Sequence, residues 1–384
     1  MNNTISYLQI LRGLSIILVV SYHISLPFGI IRWINRDLWH STWWGVNIFL
    51  VLSGFLITTS ITKYLSIRVF LIKRALRIYP PLFFLISLAA VLHIFTSSIG
   101  LQSDTTSPWF ASDLSWIRQT LFILSGVLVP LASIFETHGI YSYGAMWSLS
   151  VEMQFYISIA FLYFIVRKLY YNSTHILTTI SAILLILCEW QRFIGNSMPT
   201  LSARWLEYLV HNRFDFILAG CCIVSIPTGW RVESILQKYR VIVISSVVIG
   251  TSILLTFCPP PEINHENSWR LRYLGLPISL ISSVVLVFTC RTINSSLNKD
   301  NYSKITILLS FAGDISYSLY LGHFFCMEVA WIILKYTVPW VFNSGVLYGI
   351  MQIVLLTVLL VPYVLISYYY IESNAKALST TIDT

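Results

Sequence analysis

The stretch LQILRGLSIILVVSYH (residues 8–23) sets an arginine, Arg12, and a histidine, His23, eleven residues apart in an apolar run that continues to Leu26. Eleven residues at 100° each make three turns plus about 20°, so on an α-helix the two share one face, roughly 16 Å apart along the axis. That face offers a cation for an anionic group at one end and a titratable imidazole at the other. Glu152 stands about one and a half turns inside a second apolar segment, MWSLSVEMQFY (146–156). A carboxylate beside an imidazole fixes its tautomer and raises its basicity, which is the arrangement of a general base. In FLIKRALRIYPPL (70–82), Lys73, Arg74 and Arg77 directly precede Pro80 and Pro81, which open the next apolar segment. Arg74 and Arg77 share a helical face, and guanidinium forks match phosphate oxygens. Each feature also has a plainer reading: a boundary-anchoring arginine, a structural intramembrane pair, a basic cluster that only fixes orientation.

The elements that must position these groups follow from composition. Of 384 residues, 56% are hydrophobic and only 10% charged, against roughly a quarter charged in soluble domains. The chain reads as an all-α polytopic membrane protein. The net charge of +8 resides in short clusters between apolar segments, the pattern of membrane orientation rather than of nucleic-acid binding. The first apolar segment lacks a basic head and a small-x-small cleavage site, so it reads as an uncleaved first span. The six cysteines show no C-x-x-C spacing and read as inert membrane cysteines.

A span needs about 20 mostly apolar residues. Ten candidates lie near 8–27, 43–62, 79–97, 147–166, 176–190, 213–228, 241–257, 273–290, 313–335 and 347–371. The run 119–134 (TLFILSGVLVPLASIF) is ambiguous. With it left out and the N-terminus inside, the cytoplasmic loops carry fourteen Lys and Arg and the outer loops seven, among them Arg192. Counting it as a span would move nine of those fourteen outside. The bias therefore favours about ten spans, both termini in the cytoplasm and 119–134 interfacial or re-entrant. The expected division is one integral membrane domain over 1–375 and a short cytoplasmic tail over 376–384. On this topology Glu152 and His23 lie at similar depth near the outer face. Outer-loop aromatics such as Trp39, Trp43, Trp109 and Trp116 suit stacking on sugars and equally suit an interfacial belt.

LRGLSIILVVSYH resembles the R-x10-H motif that opens the membrane-bound acyltransferase 3 family. GVNIFLVLSGFLI (45–57) is similar to that family's second-span signature, FLIKRALRIYPP to its R-x-x-R loop and WSLSVEMQFY to its S-L-x-x-E segment. NRFDFILAG (212–220), GDISYSLYLGH (313–323) and YYYIES (368–373) resemble the later signatures, so the likeness runs through the whole chain in order. The resemblance implies transfer of an acyl group, usually acetyl, from cytoplasmic acyl-CoA to a hydroxyl of an envelope or secreted carbohydrate across the inner membrane. It implies acetyl-CoA as co-substrate, no metal, and a surface polysaccharide such as lipopolysaccharide O-antigen as acceptor. By carry-over His23 is the main catalytic residue, Arg12 its motif partner and Glu152 a second essential carboxylate. Lys73, Arg74 and Arg77 are donor-side residues, and Gly45, Ser53 and Gly54 would let helices or the pantetheine arm approach closely. Asn47, Ser148, Asp215 and His323 are substrate-side candidates. Asn47 departs from the family, which commonly has an acid there. With its last span expected near 347–371, the chain is expected to be a member without the SGNH hydrolase-like domain that some members carry. General-base and acyl-histidine roles for His23 both stay open. Buried Arg, His, Glu and Asp in ten spans would also suit a proton-coupled transporter or flippase, although paired halves are not evident.

Overall fold

In a bilayer an α-helix satisfies every backbone N–H and C=O within its own segment, so apolar runs of this kind become helices. The computed structural model describes residues 4–25, 41–62, 66–98, 146–169, 173–194, 213–227, 229–258, 270–293, 297–298 and 303–381. The helices are α1 (Tyr7–Ser25), α2 (Gly45–Ile61, led in by a 3-10 turn, Ser41–Trp44), α3 (Ile67–Ser98) and α4 (Met146–Leu169). Then come α5 (Ser173–Ile194), α6 (Phe214–Ile223), α7 (Trp230–Leu255), and α8 (Leu276–Thr292), which follows a π-helical turn at Leu271–Gly275. The chain continues with α9 (Lys304–Asp314), α10 (Ser316–Thr337) and α11 (Gly345–Ile366), which passes through a π-helical turn, Ser367–Glu372, into α12 (Ser373–Thr381). The β structure among the described residues is one antiparallel bridge, Thr4 with Asn298 and Ile5 with Leu297. Among the described residues, eight helices are long and apolar enough to cross a membrane. The protein is an all-α polytopic membrane protein.

Three expectations change. The helix expected at 79–97 begins at Ile67, with Pro80 and Pro81 inside it. The basic cluster is thus the helical first half of α3 rather than a loop before it. Two prolines leave the carbonyls of Leu76 and Arg77 without their usual donors, and the next carbonyl, Ile78, accepts a hydrogen bond from the Tyr317 hydroxyl at 2.8 Å. Neighbouring hydroxyls of this kind make proline tolerable in a membrane helix. The segment 213–228 forms only the ten-residue α6, about 15 Å long and half a hydrocarbon core. Its C-terminal carbonyls at Ile223, Val224 and Ile226 accept from the Arg291 guanidinium, which ends the helix within the protein. The span expected from 313 starts at Ser316, after a break that separates off α9. The segment 147–166 is helical within α4 but is not one of the eight, and 119–134 lies outside the described residues.

The chain forms two compact units, one of residues 1–27, 31–63 and 161–316, the other of residues 28–30, 64–160 and 317–384. In the first, α1 packs on α9 and α2, and α6 lies between α2 and α5. Its core holds Leu11, Ile16, Trp44, Ile48, Leu52 and Phe216. In the second, α12 and its π turn pack on α3, with Phe70, Leu82, Leu85 and Met327 buried.

The α2–α6 seam is set by two glycines. A Cβ on Gly54 would overlap the Ile217 carbonyl, and one on Gly220 would overlap the Val51 carbonyl and meet the Phe55 nitrogen at 2.9 Å. Backbone atoms cannot swing aside, so Gly220→Ala should cost about 1–3 kcal/mol by overpacking. Gly250→Ala in α7, with nothing within 4 Å of the new Cβ, should be neutral or raise stability by up to about 1 kcal/mol. Thermal unfolding midpoints of the two variants in one detergent check this; equal midpoints would refute the seam's importance.

Candidate functional site

Apolar helices carry few charged groups, so where these gather is informative. In the first unit, α1 holds Arg12 and His23 on one continuous helix, so the shared face expected from their spacing is present. Both are half-buried, and the His23 ring stands edge-on to Tyr22 with centroids 5.1 Å apart.

A second group in this unit joins Asn47 and Asp215, two of the substrate-side candidates. Asn47 is fully buried, donates through Nδ2 to Ser279 Oγ at 2.9 Å and accepts at Oδ1 from Arg213 at 2.8 Å. The Arg213 guanidinium lies over the Trp43 ring, 5.2 Å from its centroid. Its backbone is left-handed, φ 57°, the only positive φ outside glycine among the described residues, a conformation that costs a β-carbon residue about 1–2 kcal/mol. Two residues on, Asp215 is wholly buried and accepts from Arg192, which also donates to both Glu189 oxygens at 2.9 Å. Arg192, counted as an outer-loop cation from sequence, is therefore a fully buried residue of α5. Two carboxylates and two guanidiniums balance in charge, which is how such a group persists away from water. The i,i+3 spacing of Glu189 and Arg192 is visible in the sequence, but the pairing of Arg192 with Asp215 and of Arg213 with Asn47 is not, because those partners come from other helices.

In the second unit the donor-side residues are helical. The Arg74 guanidinium lies 5.4 Å from the centroid of Phe70, four residues before it, and 5.4 Å from that of Tyr156 in α4. The Tyr156 hydroxyl donates to Glu152 Oε1 at 2.5 Å. Cation, ring and carboxylate thus form one connected group, and the i,i+4 spacings of both Phe70–Arg74 and Glu152–Tyr156 were readable in advance. Glu152 lies in this unit and His23 in the other, so neither unit by itself brings the expected acid/base pair together.

Ser148 and His323, the remaining substrate-side candidates, meet through Tyr320. Ser148 Oγ is 2.5 Å from the Tyr320 hydroxyl, and the Tyr320 and His323 rings are 5.9 Å apart. His323 is fully buried with Nδ1 2.7 Å from the Tyr320 carbonyl. A carbonyl only accepts, so the proton sits on Nδ1. This histidine is held by its own helix and packed on Phe324 at 4.5 Å. Below it, on the π-helical turn, buried Glu372 accepts from Ser318 at 3.0 Å and pairs with Lys376 at 2.9 Å. Lys376, expected in a tail, is therefore in helix α12 and tied to the unit.

At Gly54 the close approach is that of a helix, one of the two expected there. The space over its Cα is filled by the Ile217 backbone, which leaves no room there for a pantetheine arm. Ser53 beside it is half-buried.

Comparison with known proteins adds the family. Peptidoglycan O-acetyltransferase OatA of Listeria monocytogenes is 24% identical over 339 residues, 86% of this chain and 50% of the relative. Nodulation protein 10 of Rhizobium leguminosarum is 30% identical over 137 residues, 32% of this chain and 34% of that protein. The chain thus spans about half the length of the Listeria relative. No solved structure matches it. The model of the acyltransferase domain family covers residues 5–372, from the start of α1 to the buried Glu372, and on that match the chain belongs to this family.

Proposed function

We propose that this chain is a membrane O-acetyltransferase that moves an acetyl group from acetyl-CoA on the cytoplasmic side to a hydroxyl of a cell-surface polysaccharide on the outer side. The acceptor proposed is a glycan such as lipopolysaccharide O-antigen, and the location the bacterial inner membrane with both termini in the cytoplasm. The observation that carries the reading is Arg12 and His23 on one face of a single membrane helix in a chain of the acyltransferase domain family. Arg74 and Arg77 supply guanidiniums for the donor's phosphates, with Lys73 beside them and the Arg74 guanidinium 5.4 Å from the centroids of both Phe70 and Tyr156. A preorganised fork loses less entropy on binding than a free one.

The chemistry balances simply. His23 takes the proton of the acceptor hydroxyl, whose oxygen attacks the thioester carbonyl. The C–S bond breaks, and the imidazolium returns the proton to the departing sulfur. Glu152 is the second carboxylate proposed as essential, and Asn47 and Asp215 belong to the acceptor side.

The test is transfer of radiolabelled acetyl from acetyl-CoA to envelope polysaccharide by the purified protein in liposomes, with acetyl content of the glycans compared in cells with and without the gene. Label on lipopolysaccharide supports the full reading, label on peptidoglycan alone corrects the acceptor, and no consumption of acetyl-CoA overturns it. Within it, Tyr156→Phe keeps the ring under Arg74 and removes the hydroxyl from Glu152. A hydrogen bond to a charged group is worth about 1.5–3 kcal/mol, so the transfer rate should fall about tenfold or more while donor KM stays within about twofold. A fall in donor affinity with unchanged kcat would refute this division of roles.

A further inference from the structure

α3 turns Phe84, Leu88, Val91 and Phe95 towards a cavity of about 480 Å³ whose other walls are α10 and α11 around Phe325 and Tyr363. The four α3 positions are spaced i, i+4, i+7 and i+11, a single stripe of the helix. From Phe84 to Phe95 the axis advances about 16 Å, close to half of the ~30 Å hydrocarbon core and so to the depth of one leaflet.

Two local devices shape the space. Gly322 lets the Tyr363 ring lie against α10, where a Cβ would overlap it, and that ring stacks on Phe84 at 5.7 Å between centroids. Pro362 removes a backbone donor from α11 beside it. The mouth is open: Val91 is 64% and Phe95 58% exposed, on a helix long and apolar enough to cross the membrane.

The chemistry of the lining selects the occupant. Its walls are carbon apart from the Cys326 sulfur and the Tyr363 hydroxyl, and that hydroxyl is buried. An apolar cavity does not hold ordered water, because nothing in it can bond one. Sugars and nucleotides are excluded for the same reason, since their polar groups would be buried without partners. A straight hydrocarbon chain has neither problem, matches the length and is the solvent on that side of the helix.

We propose that this cavity is a binding site for one acyl chain of a membrane phospholipid. The proposal does not depend on acetyl transfer, and its test does not use it. The full chain is placed in nanodiscs containing phosphatidylethanolamine with a diazirine at the middle of one palmitoyl chain, irradiated, and the adducts are mapped by peptide mass spectrometry. Adducts should concentrate on residues 84–95, 325–329 and 359–366 relative to the exposed α5 positions Ile183 and Ile186. Val91→Trp and Val329→Trp, which fill the space, should each lower them there at least roughly threefold and leave the α5 adducts unchanged. Adducts spread evenly over both faces in the unaltered protein would overturn the proposal, whether or not the tryptophan variants fold. So would well-folded tryptophan variants that label as the parent does.

Discussion

His23→Ala is expected to remove acetyl transfer while leaving acetyl-CoA bound. A positioned general base contributes typically 10²–10⁴-fold, so residual turnover should lie at least two orders of magnitude below the parent. The imidazole acts at the thioester end and makes no contact with the phosphates in the proposed mechanism, so donor affinity should change little. Arg12→Ala should behave differently, because a cation about 16 Å back along the same face would meet the donor on its way in. Its signature is weaker donor binding or poorer positioning, with loss in KM as well as kcat. Glu152→Gln keeps the shape and removes the charge, and should resemble the histidine variant. The measurement is kcat, KM and equilibrium donor affinity for all three in one nanodisc preparation. Near-normal turnover in His23→Ala would sink the mechanism, and the arginine would revert to an anchor of the helix.

The largest effect on stability is expected at the charge cluster of the first unit. Arg192 and Asp215 are both fully buried and paired, and Glu189 shares the same guanidinium. Removing one partner of a buried pair strands the other charge and costs about 3–5 kcal/mol. Arg192→Met leaves two carboxylates facing each other and should be the worse single change, with Asp215→Asn milder because one carboxylate keeps its cation. The double variant should recover a large part of the Arg192→Met loss, since the desolvated partner is gone as well. A double-mutant cycle on thermal unfolding reads this as coupling. Additive losses would mean that the two side chains do not depend on each other. Activity of the double variant, assayed at a temperature where it is folded, separates a structural cluster from one that also serves the acceptor.

The shared face of Arg12 and His23 was legible in the sequence because both ends of the relationship lie in one helix, and helical period alone decides it. The same holds for Phe70 with Arg74 and Glu152 with Tyr156. The helix carrying Lys73, Arg74 and Arg77 was cut short in the reading because proline stops helices in water. Here a hydroxyl from Tyr317 attends the carbonyl next to those freed by Pro80 and Pro81. Arg192 read as a loop cation because its fully buried partner, Asp215, is 23 residues away on another helix, and Glu189 one turn before it does not by itself show burial. Hydropathy also could not show that 213–228 stops at ten helical residues, because the stop is imposed by Arg291, 68 residues beyond Ile223. In each case the missing information was tertiary. The clustering of Asn47 with Asp215, and of Ser148 with His323, follows the same rule: each residue stood out, but the bridges through Arg213 and Tyr320 did not.

The short α6 has a consequence for how the protein is made. At about 15 Å it is too short to hold itself across a bilayer, and its two ends rely on parts of the chain synthesised at different times. Arg192 and the glycine seam of α2 are already in place when α6 leaves the ribosome, so its first turn has a partner at once. Its last carbonyls wait for Arg291, which arrives only when α8 has been translated. Between those moments a helix end stands unsatisfied in an apolar setting, where each bare carbonyl is costly. Nascent chains halted between α6 and α8 are therefore the species that membrane quality-control proteases should recognise, and release of α8 into the bilayer is the step that closes this window.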